Sequence, residues 1–265
     1  MFESNKNKNL LVSIITPNYN GDKFLEECIK SVINQSSKDY EYIIIDGGST
    51  DESKNIIKKY EKFIKYFVSE KDNGLYDAID KGIKKANGEI ILWINSDDML
   101  DENAVSNVIK IFKNKESLEW ITGINGYIKK GYKYSLIPYY YPSFIIRNGF
   151  AHQKYWGYIQ QESIAFKKKL YLKSNRFKTS YGNAGDFHLW RDFANLSKLS
   201  TFFIKIGYFR TWQGQNSQVQ KQKYEKDTGI LTSFFTFKII RLIISLIFLP
   251  YIILKTFYLS RKNKL

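Results

Sequence analysis

The chain has 265 residues, 43% of them hydrophobic, and a formal charge of +15. These values predict one large or two small folded domains and exclude a disordered tail. The one cysteine, Cys28, excludes a disulfide framework and a zinc site built on several thiolates, and it is typical of a reducing compartment. The charge favours an anionic partner, although lysines scattered over a solvated surface would give the same value.

The first apolar segment is short. In "MFESNKNKNLLVSIITPNYN" it runs for about seven residues and ends at Pro17, with no small-residue cleavage site after it. It therefore indicates a buried strand rather than a signal peptide, and we expect a cytoplasmic protein.

Strand-like and helix-like stretches then alternate. The pattern predicts strands at 10–16, 41–45, 65–69 and 89–94, and helices at 22–35, 51–63 and 74–86. Such alternation predicts right-handed βαβ units, and hence an α/β fold with a mostly parallel sheet and helices on both faces. Ligands bind such sheets beyond the carboxyl ends of the strands, where this chain has "TPNYN", "DGGSTD", "SEKDNG" and "NSDD".

Two adjacent carboxylates, Asp97 and Asp98, follow the apolar strand in "EIILWINSDDML". The chain has no GxxxxGK[ST] phosphate loop and no GxGxxG after the first strand, so a bound nucleotide would need a divalent cation to neutralise its phosphates. Neighbouring carboxylates supply the hard oxygen ligands that Mg²⁺ and Mn²⁺ prefer. On these residues alone, capping a turn before a helix near Glu102 is an equal alternative.

Four segments together resemble the family-two glycosyltransferases with the GT-A fold, in order and in spacing. They are "VSIITPNYNGDKFLEECIKSVINQS", "EYIIIDGGSTDES", "SEKDNGLYDAIDKGIKKANGEIILWINSDDML" and "AGDFHLW". The resemblance covers about residues 10 to 217 and is closest to the branch that builds bacterial surface polysaccharides. It implies a Rossmann-like sheet and an inverting transfer of a sugar from a nucleotide diphosphate, UDP favoured, to a glycan or lipid-linked acceptor with Mn²⁺ or Mg²⁺.

The resemblance also implies which residues bind the donor. Pro17 and Tyr19 match positions along the nucleotide, and Asp46 matches the acceptor of a hydrogen bond from the base. The rest of the donor set is Asp72, Asp77, Asp97, Arg210 and Gln215. Pro17, Tyr19 and Asp46 each have a plainer alternative as turn residues, and the helix dipole would stabilise Asp77 whatever its function.

The resemblance places Asp98, with Asp97, at the metal, and Asp186 at the catalytic base. An inverting displacement needs one carboxylate to take the proton of the acceptor hydroxyl, and the metal stabilises the departing diphosphate. Gln161 and Glu162 match a segment near the acceptor. The alternative for Asp186 is an N-cap with a structural role only.

Two positions depart from the family pattern. His188 stands where relatives usually have an acidic residue, and Trp212 stands where a histidine is common. His188 is a candidate to compensate for that missing histidine, although a lone histidine on a helix is more often structural.

We expect a catalytic domain at 1–228, with a nucleotide-sugar half at 1–118 and an acceptor half at 119–228. The tail at 229–265 has 13 consecutive uncharged residues, interrupted by Pro250, which is too few to span a bilayer. An interfacial helix on the inner face of the cell membrane is favoured over a helix packed on the protein. Its headgroup-binding cations would be Lys238, Arg241, Lys255, Arg261, Lys262 and Lys264.

Two other functions stay open. A sugar nucleotidyltransferase shares the fold, but it would need a basic, Gly-rich loop that "TPNYNGDKF" does not provide. A basic nucleic-acid-binding protein would suit the charge and the aromatic content, but the chain has no recognisable binding motif. We therefore expect no nucleic-acid partner.

Overall fold

The computed structural model describes residues 11–136, 140–152 and 157–230, and the isolated positions 242, 246, 250, 253 and 254. Most of the tail predicted to bind a membrane lies outside these residues. Within them, every helix is too short or too polar to cross a bilayer.

The described strands form one mixed sheet in the order β3-β2-β1-β4-β8-β6-β9-β5, with β7 paired to β6. They are β1 (Val12–Asn18), β2 (Tyr40–Asp46), β3 (Tyr66–Ser69), β4 (Ile90–Trp93), β5 (Met99–Leu100), β6 (Trp120–Lys129), β7 (Tyr132–Leu136), β8 (Ile164–Lys167) and β9 (Ser200–Thr211). The first four are mutually parallel. Strand β8 then runs antiparallel to both β4 and β6.

Helices cover the sheet, and their apolar faces form two cores. They are α1 (Asp22–Ile33), α2 (Ser53–Lys59), α3 (Leu75–Lys85), α4 (Ala104–Asn114), α5 (Ser143–Arg147), α6 (Lys168–Lys173), α7 (Gly185–Leu196), α8 (Asn216–Val219) and α9 (Lys221–Asp227). Short 3₁₀ turns lie at Glu61–Phe63, Gln161–Ser163 and Thr179–Ala184. Helices α1, α2 and α4 pack in one core, and α3, α5 and α7 in the other. This gives one helical layer on each side of the sheet.

The predicted alternation of strands and helices is confirmed for the first half of the chain. The helix predicted at 51–63 is shorter, because Asp51 lies before α2 and accepts a hydrogen bond from the Ser53 amide at 3.0 Å. The first four strands are parallel, whereas the second half of the chain mixes the parallel pair β6–β9 with antiparallel pairs of β8 with β4 and β6, of β7 with β6 and of β5 with β9. The α/β prediction with helices on both faces is therefore confirmed, on a mixed sheet.

Strand β9 brings the second half of the chain to the end of β4. It pairs with β5, with Met99 opposite Tyr208, so its last residues lie beside the turn that carries Asp97 and Asp98. A side chain at Gly207 would overlap the backbone carbonyl of Glu162. Glycine there lets the 3₁₀ turn that contains Glu162 lie directly against β9.

Candidate active site

Residues 95–98, which we call the carboxylate turn, follow β4 and are held by the end of β9. Asp98 is 1% exposed, and its Oδ1 accepts the backbone N–H of Arg210 at 2.7 Å. Its Oδ2 accepts the side-chain amide of Asn95 at 3.3 Å. The indole N–H of Trp212 donates to Asp97 Oδ2 at 3.0 Å. Both carboxylates are thus fixed by residues far away in sequence.

Glu162 joins this turn as a third buried carboxyl. Burial raises the pKa of Asp98 well above its usual value, and the charges of Glu162 and Asp97 add to the effect. Burial likewise raises the pKa of Glu162 to about 7. Its hydrogen bonds lower this pKa, whereas the charges of Asp97 and Asp186 raise it further. Since each ionised group disfavours the next, a bound cation would favour full ionisation.

The carboxylates of this turn suit a metal ion that a substrate would also coordinate. Among the described residues, no three His, Cys, Asp or Glu side chains are grouped so that they could hold an ion by themselves. Mg²⁺ is usually bound through one or two carboxylates together with phosphate oxygens and water. Asp97 and Asp98 match that requirement in ligand type and number.

Arg210, predicted to contact the donor phosphates, is committed to protein contacts. It is 7% exposed, and its Nε donates to the Asp97 carbonyl oxygen at 2.7 Å. Its Nη2 pairs with Glu27 at 2.8 Å, and the guanidinium lies 4.4 Å from the ring centroid of Phe24. Arg210 therefore ties the carboxylate turn to α1, and a phosphate contact stays a prediction.

Gln215 differs from Arg210, although both were predicted to bind the donor. Its side chain is 4% exposed, and its Oε1 has no hydrogen-bond partner among the described residues. A buried amide oxygen without a partner costs free energy unless a ligand supplies a donor. The arrangement is thus compatible with donor binding.

Asp46, predicted to accept a hydrogen bond from the nucleotide base, is fully buried. Its Oδ1 accepts from Asn18 at 2.7 Å and from the Ser49 hydroxyl at 2.5 Å, and its Oδ2 accepts from the Ser49 amide at 2.9 Å and Ser69 at 2.6 Å. Burial raises its pKa, but these hydrogen bonds outweigh burial and lower it. A carboxylate offers about four acceptor positions, and all are filled in this conformation. Asp46 therefore organises the loop after β2, and one of these hydrogen bonds would have to break before Asp46 could contact a nucleotide base.

The other predicted donor residues lie around the ends of β1 to β3. Pro17 is buried in β1, whereas Tyr19 just after it is 67% exposed. A side chain at Gly47 would overlap the carboxylate of Asp72, so this loop approaches the end of β2 closely. Asp77 accepts the Asn73 amide at 3.0 Å and lies 3.5 Å from Lys81 Nζ. The structure brings Asp72 to the end of β2 and gives Asp77 local contacts.

Gln161, predicted to lie near the acceptor, links the carboxylate turn to β4. Its Oε1 accepts from Asn95 at 3.2 Å, and its Nε2 donates to the Trp93 carbonyl oxygen. The side chain is buried, so its described contacts are structural. Glu162 beside it is equally buried and lies with Asp98. Acceptor contacts by either residue stay predictions.

Asp186 lies in the first turn of α7 and is half-buried. Its Oδ1 accepts the Phe187 amide at 2.8 Å, the Tyr76 hydroxyl at 3.0 Å and the Tyr224 hydroxyl at 3.4 Å. Burial raises its pKa against these hydrogen bonds. The N-cap residue of α7 is Ala184 rather than Asp186, although Asp186 does accept a first-turn amide. The role of Asp186 as the base stays a prediction, with a structural role only as the alternative.

His188, the candidate to compensate for the missing family histidine, makes structural contacts on α7. Its ring stacks on Tyr181 with centroids 4.5 Å apart, and its Nε2 lies 2.9 Å from the backbone oxygen of Asp227. Both contacts hold α7 to neighbouring segments. Trp212 replaces that histidine with a hydrogen bond to Asp97.

Sequence reasoning missed Tyr76, Tyr224, Asn95 and Glu27. Tyr76 and Tyr224 stand in segments whose local patterns indicate ordinary helices, and each reaches Asp186 from a distant element. The only available signal for Asn95 was its place in a strand-end cluster. No local feature pointed to the pairing of Glu27 with Arg210.

The fold is that of the GT-A glycosyltransferases. Residues 1–349 of TarS from S. aureus, solved with UDP-GlcNAc, superpose with a TM-score of 0.65 at 16% identity, covering 82% of this chain and 64% of that one. The mannosyltransferase PcManGT from Pyrobaculum calidifontis, solved with GDP-Man and Mn²⁺, gives 0.62 at 16% identity, covering 89% and 69%. At these identities the similarity establishes the fold.

The chain belongs to glycosyl transferase family 2, whose sequence model matches residues 13–174. Chondroitin synthase of Escherichia coli is 27% identical over 231 residues, covering 82% of this chain but 31% of that protein. The GalNAc(5)-diNAcBac-PP-undecaprenol beta-1,3-glucosyltransferase of Campylobacter jejuni is 31% identical over 202 residues, covering 73% and 62%. The match thus spans about a third of the first relative and less than two thirds of the second. The predicted family is confirmed.

Replacing Arg210 tests the tie between β9, the carboxylate turn and α1. Arg210→Lys keeps the charge, but one ammonium group cannot bond Glu27 and the Asp97 carbonyl in the same planar geometry or stack equally well on Phe24. We expect the melting temperature to fall by about 5 °C, from a loss of roughly 1–3 kcal/mol.

The matched control is Arg191→Lys, since Arg191 also bonds a backbone carbonyl, that of Arg147 at 3.1 Å, and also lies near an aromatic ring. Its contacts are exposed, so we expect a change of less than half that size by scanning calorimetry. Equal melting temperatures for Arg210→Lys and the parent protein would contradict the proposed tie.

Proposed function

We propose that this glycosyltransferase moves a sugar, with inversion, from a UDP-sugar to a hydroxyl of a glycan or lipid-linked glycan in surface polysaccharide synthesis. The observation that carries the proposal is a chain of contacts between the two predicted catalytic parts. The Tyr76 hydroxyl bonds Asp186 at 3.0 Å, and its ring packs on Trp93, whose indole N–H donates to Asn95 of the carboxylate turn at 2.9 Å. This contact chain supports a single site that uses the predicted metal ligand and the predicted base.

The names of the similar proteins support the donor and acceptor classes. TarS was solved with UDP-GlcNAc, and the Campylobacter relative is named for a lipid-linked acceptor. Within this chain, Pro17, Tyr19 and Asp72 lie at the ends of β1 and β2, and Gln215 has a buried oxygen without a hydrogen-bond partner among the described residues, which supports a donor site at this edge. Which sugar is transferred, and which linkage is formed, would depend on the shape of the pocket in the acceptor half.

Asp98, together with Asp97, would hold Mn²⁺ or Mg²⁺. The similar mannosyltransferase PcManGT was solved with Mn²⁺. When bound, the ion stabilises the negative charge of the departing diphosphate. The protein's own part is to keep both carboxylates fixed, through Arg210 and Asn95 on Asp98 and through Trp212 on Asp97. Such fixed ligands need no rearrangement when the donor arrives.

Asp186 would act as the base. The acceptor hydroxyl gives its proton to the carboxylate while its oxygen bonds to the anomeric carbon, and the bond to the diphosphate breaks with both electrons on the leaving oxygen. No general acid is needed, since the leaving group is stabilised as an anion. One carboxylate therefore suffices, unlike the pair in a glycosidase.

Asp186→Asn separates catalysis from structure. Asn keeps the size and can accept the hydrogen bonds of Tyr76 and Tyr224, but it cannot take a proton. We expect almost complete loss of UDP-sugar turnover, with UDP binding and melting temperature nearly unchanged. Turnover is measured as UDP release from a panel of UDP-sugars with Mn²⁺, with GDP-sugars as a second panel.

The matched control is Asp80→Asn, because Asp80 also accepts a tyrosine hydroxyl, that of Tyr171 at 2.6 Å, away from the site. It should keep the parent's turnover. Substantial turnover by Asp186→Asn would place the base elsewhere, with Glu162 the next candidate.

Asp98→Asn tests the metal. The Arg210 amide can still donate to the Asn oxygen, so the fold is preserved while a charged ligand is lost. We expect UDP binding in the presence of Mn²⁺ to weaken by about tenfold or more. Isothermal titration of UDP with and without Mn²⁺ measures it. Asp101→Asn, which changes a carboxylate bonded to Tyr208, is the control, and unchanged affinity in Asp98→Asn would remove Asp98 from the site.

We also propose that the tail holds the protein on the inner face of the cell membrane. Deletion of 231–265 retains Ile230, which lies close to Gly149. The full chain should sediment with vesicles containing phosphatidylglycerol, whereas the shortened chain should stay in the supernatant and keep its UDP-sugar turnover. A shortened chain that unfolds, or that still sediments, would favour a tail packed on the protein.

A further inference from the structure

Two tyrosine hydroxyls from different helices converge on one oxygen of Asp186. Tyr76 of α3 lies 3.0 Å from Oδ1, and Tyr224 of α9 lies 3.4 Å from it. The Phe187 amide is a third donor to the same atom, at 2.8 Å. In the described part of the chain, Oδ2 receives no such bond. The carboxylate is therefore held on one side only.

The Tyr76 ring is confined by its neighbours. It packs on Phe177 with centroids 4.9 Å apart and on Trp93 at 6.2 Å. A side chain at Gly185 would overlap the ring, so the helix that carries Asp186 can approach it only with glycine at that position. The tyrosine hydroxyl has little freedom to move away from the carboxylate.

Helix α9 is likewise fastened over Asp186. The ring of Tyr224 stacks on His152 with centroids 6.4 Å apart and meets Tyr158 edge-on at 5.9 Å. At the end of α9, Asp227 accepts the Asn183 amide at 2.8 Å. The Asn183 side chain also donates to Gln220 just before α9, so the segment before α7 is attached to α9 on both sides of Tyr224.

We propose that Tyr76 and Tyr224 are positioning residues that hold Oδ1 of Asp186, so that Oδ2 is presented to the acceptor hydroxyl. This inference rests on the proposed function of Asp186 as the base. Neither hydroxyl takes part in bond making, since both act through the carboxylate.

Tyr76 has one hydroxyl proton and two acceptors, because the Asn183 carbonyl oxygen also lies 3.0 Å away. While Asp186 is ionised, the proton is directed to the carboxylate, since a hydrogen bond to a charge is the stronger one. After Oδ2 has taken the acceptor proton, the hydroxyl can turn to the carbonyl without losing a partner. The Tyr76 hydroxyl thus stabilises the ionised form of Asp186, and it keeps a hydrogen-bond partner when Asp186 becomes neutral.

Phe variants test the inference, since each removes a hydroxyl and keeps the ring. The matched control is Tyr171→Phe, because Tyr171 also contacts Phe177 and donates to a carboxylate, that of Asp80. The first measurement is the pH titration of the Asp186 side-chain carboxyl by carbon-13 NMR, in protein without nucleotide. The signal is assigned by its absence in Asp186→Asn.

Loss of a donor to the ionised form raises the pKa of Asp186, by about one pH unit for Tyr76→Phe and less for the longer bond of Tyr224. Because the base must be ionised, the acid limb of the pH profile of UDP-sugar turnover should move to higher pH by the same amount. Tyr171→Phe should move neither. The fit of the Asp186 titration curve must include the charge interactions of Asp186 with Tyr158 and Glu162. Asp227 and His188 on the adjoining elements are the other titratable groups to include.

An unchanged Asp186 titration in both Tyr76→Phe and Tyr224→Phe overturns the inference, whatever happens to turnover. A lower turnover at every pH, with the acid limb of the pH profile unmoved, would also overturn the inference, since it would indicate that the tyrosines contribute only to packing. The proposed function fails separately, if Asp186→Asn retains turnover. Should Tyr76→Phe fail to fold, Tyr224→Phe decides alone, because Tyr224 lies on a short peripheral helix.

Discussion

The mutual repulsion of buried carboxylates governs the arrangement of this site. Asp97, Asp98 and Glu162 lie together, and ionising all three in the interior without partners would cost several kcal/mol. The surroundings reduce that cost with fixed donors, namely the Arg210 amide, the Trp212 indole and the Asn95 amide. Part of the cost remains, because burial and the neighbouring charges still raise the pKa of Asp98 and Glu162, and a divalent cation with a diphosphate would favour their ionised forms.

Strand β9 supplies most of this compensation, and it can do so because it pairs with β5 directly after the turn. Arg210 near its end thereby contacts Asp98 through its backbone amide and Asp97 through its side chain, which also extends to Glu27 on α1. The second half of the chain therefore fixes the carboxylate turn of the first half, and glycine at position 207 lets the 3₁₀ turn that contains Glu162 lie against β9.

Burial raises the pKa at both predicted catalytic parts, but the environments differ in a way that suits their chemistry. The carboxylates of the turn raise one another's pKa, and a cation would favour their ionised forms. Asp186 has tyrosine hydroxyls that favour its ionised form without neutralising it. A base works best with a pKa near the operating pH, whereas a metal ligand must be ionised throughout. Different partners for similar carboxylates meet both needs.

The sequence by itself determined the early βαβ order, the polar strand ends and the carboxylate turn, because hydrophobic period and turn chemistry are local properties. It also carried the family resemblance. Only the tertiary structure decided that Glu162 lies beside Asp98, that Arg210 is a tie and that Asp46 is already saturated by its own loop. The distant partners Tyr76 and Tyr224 of Asp186 and Arg210 of Asp98 stand 38 to 112 positions away, and such pairings depend on how strands and helices pack, which no local pattern records.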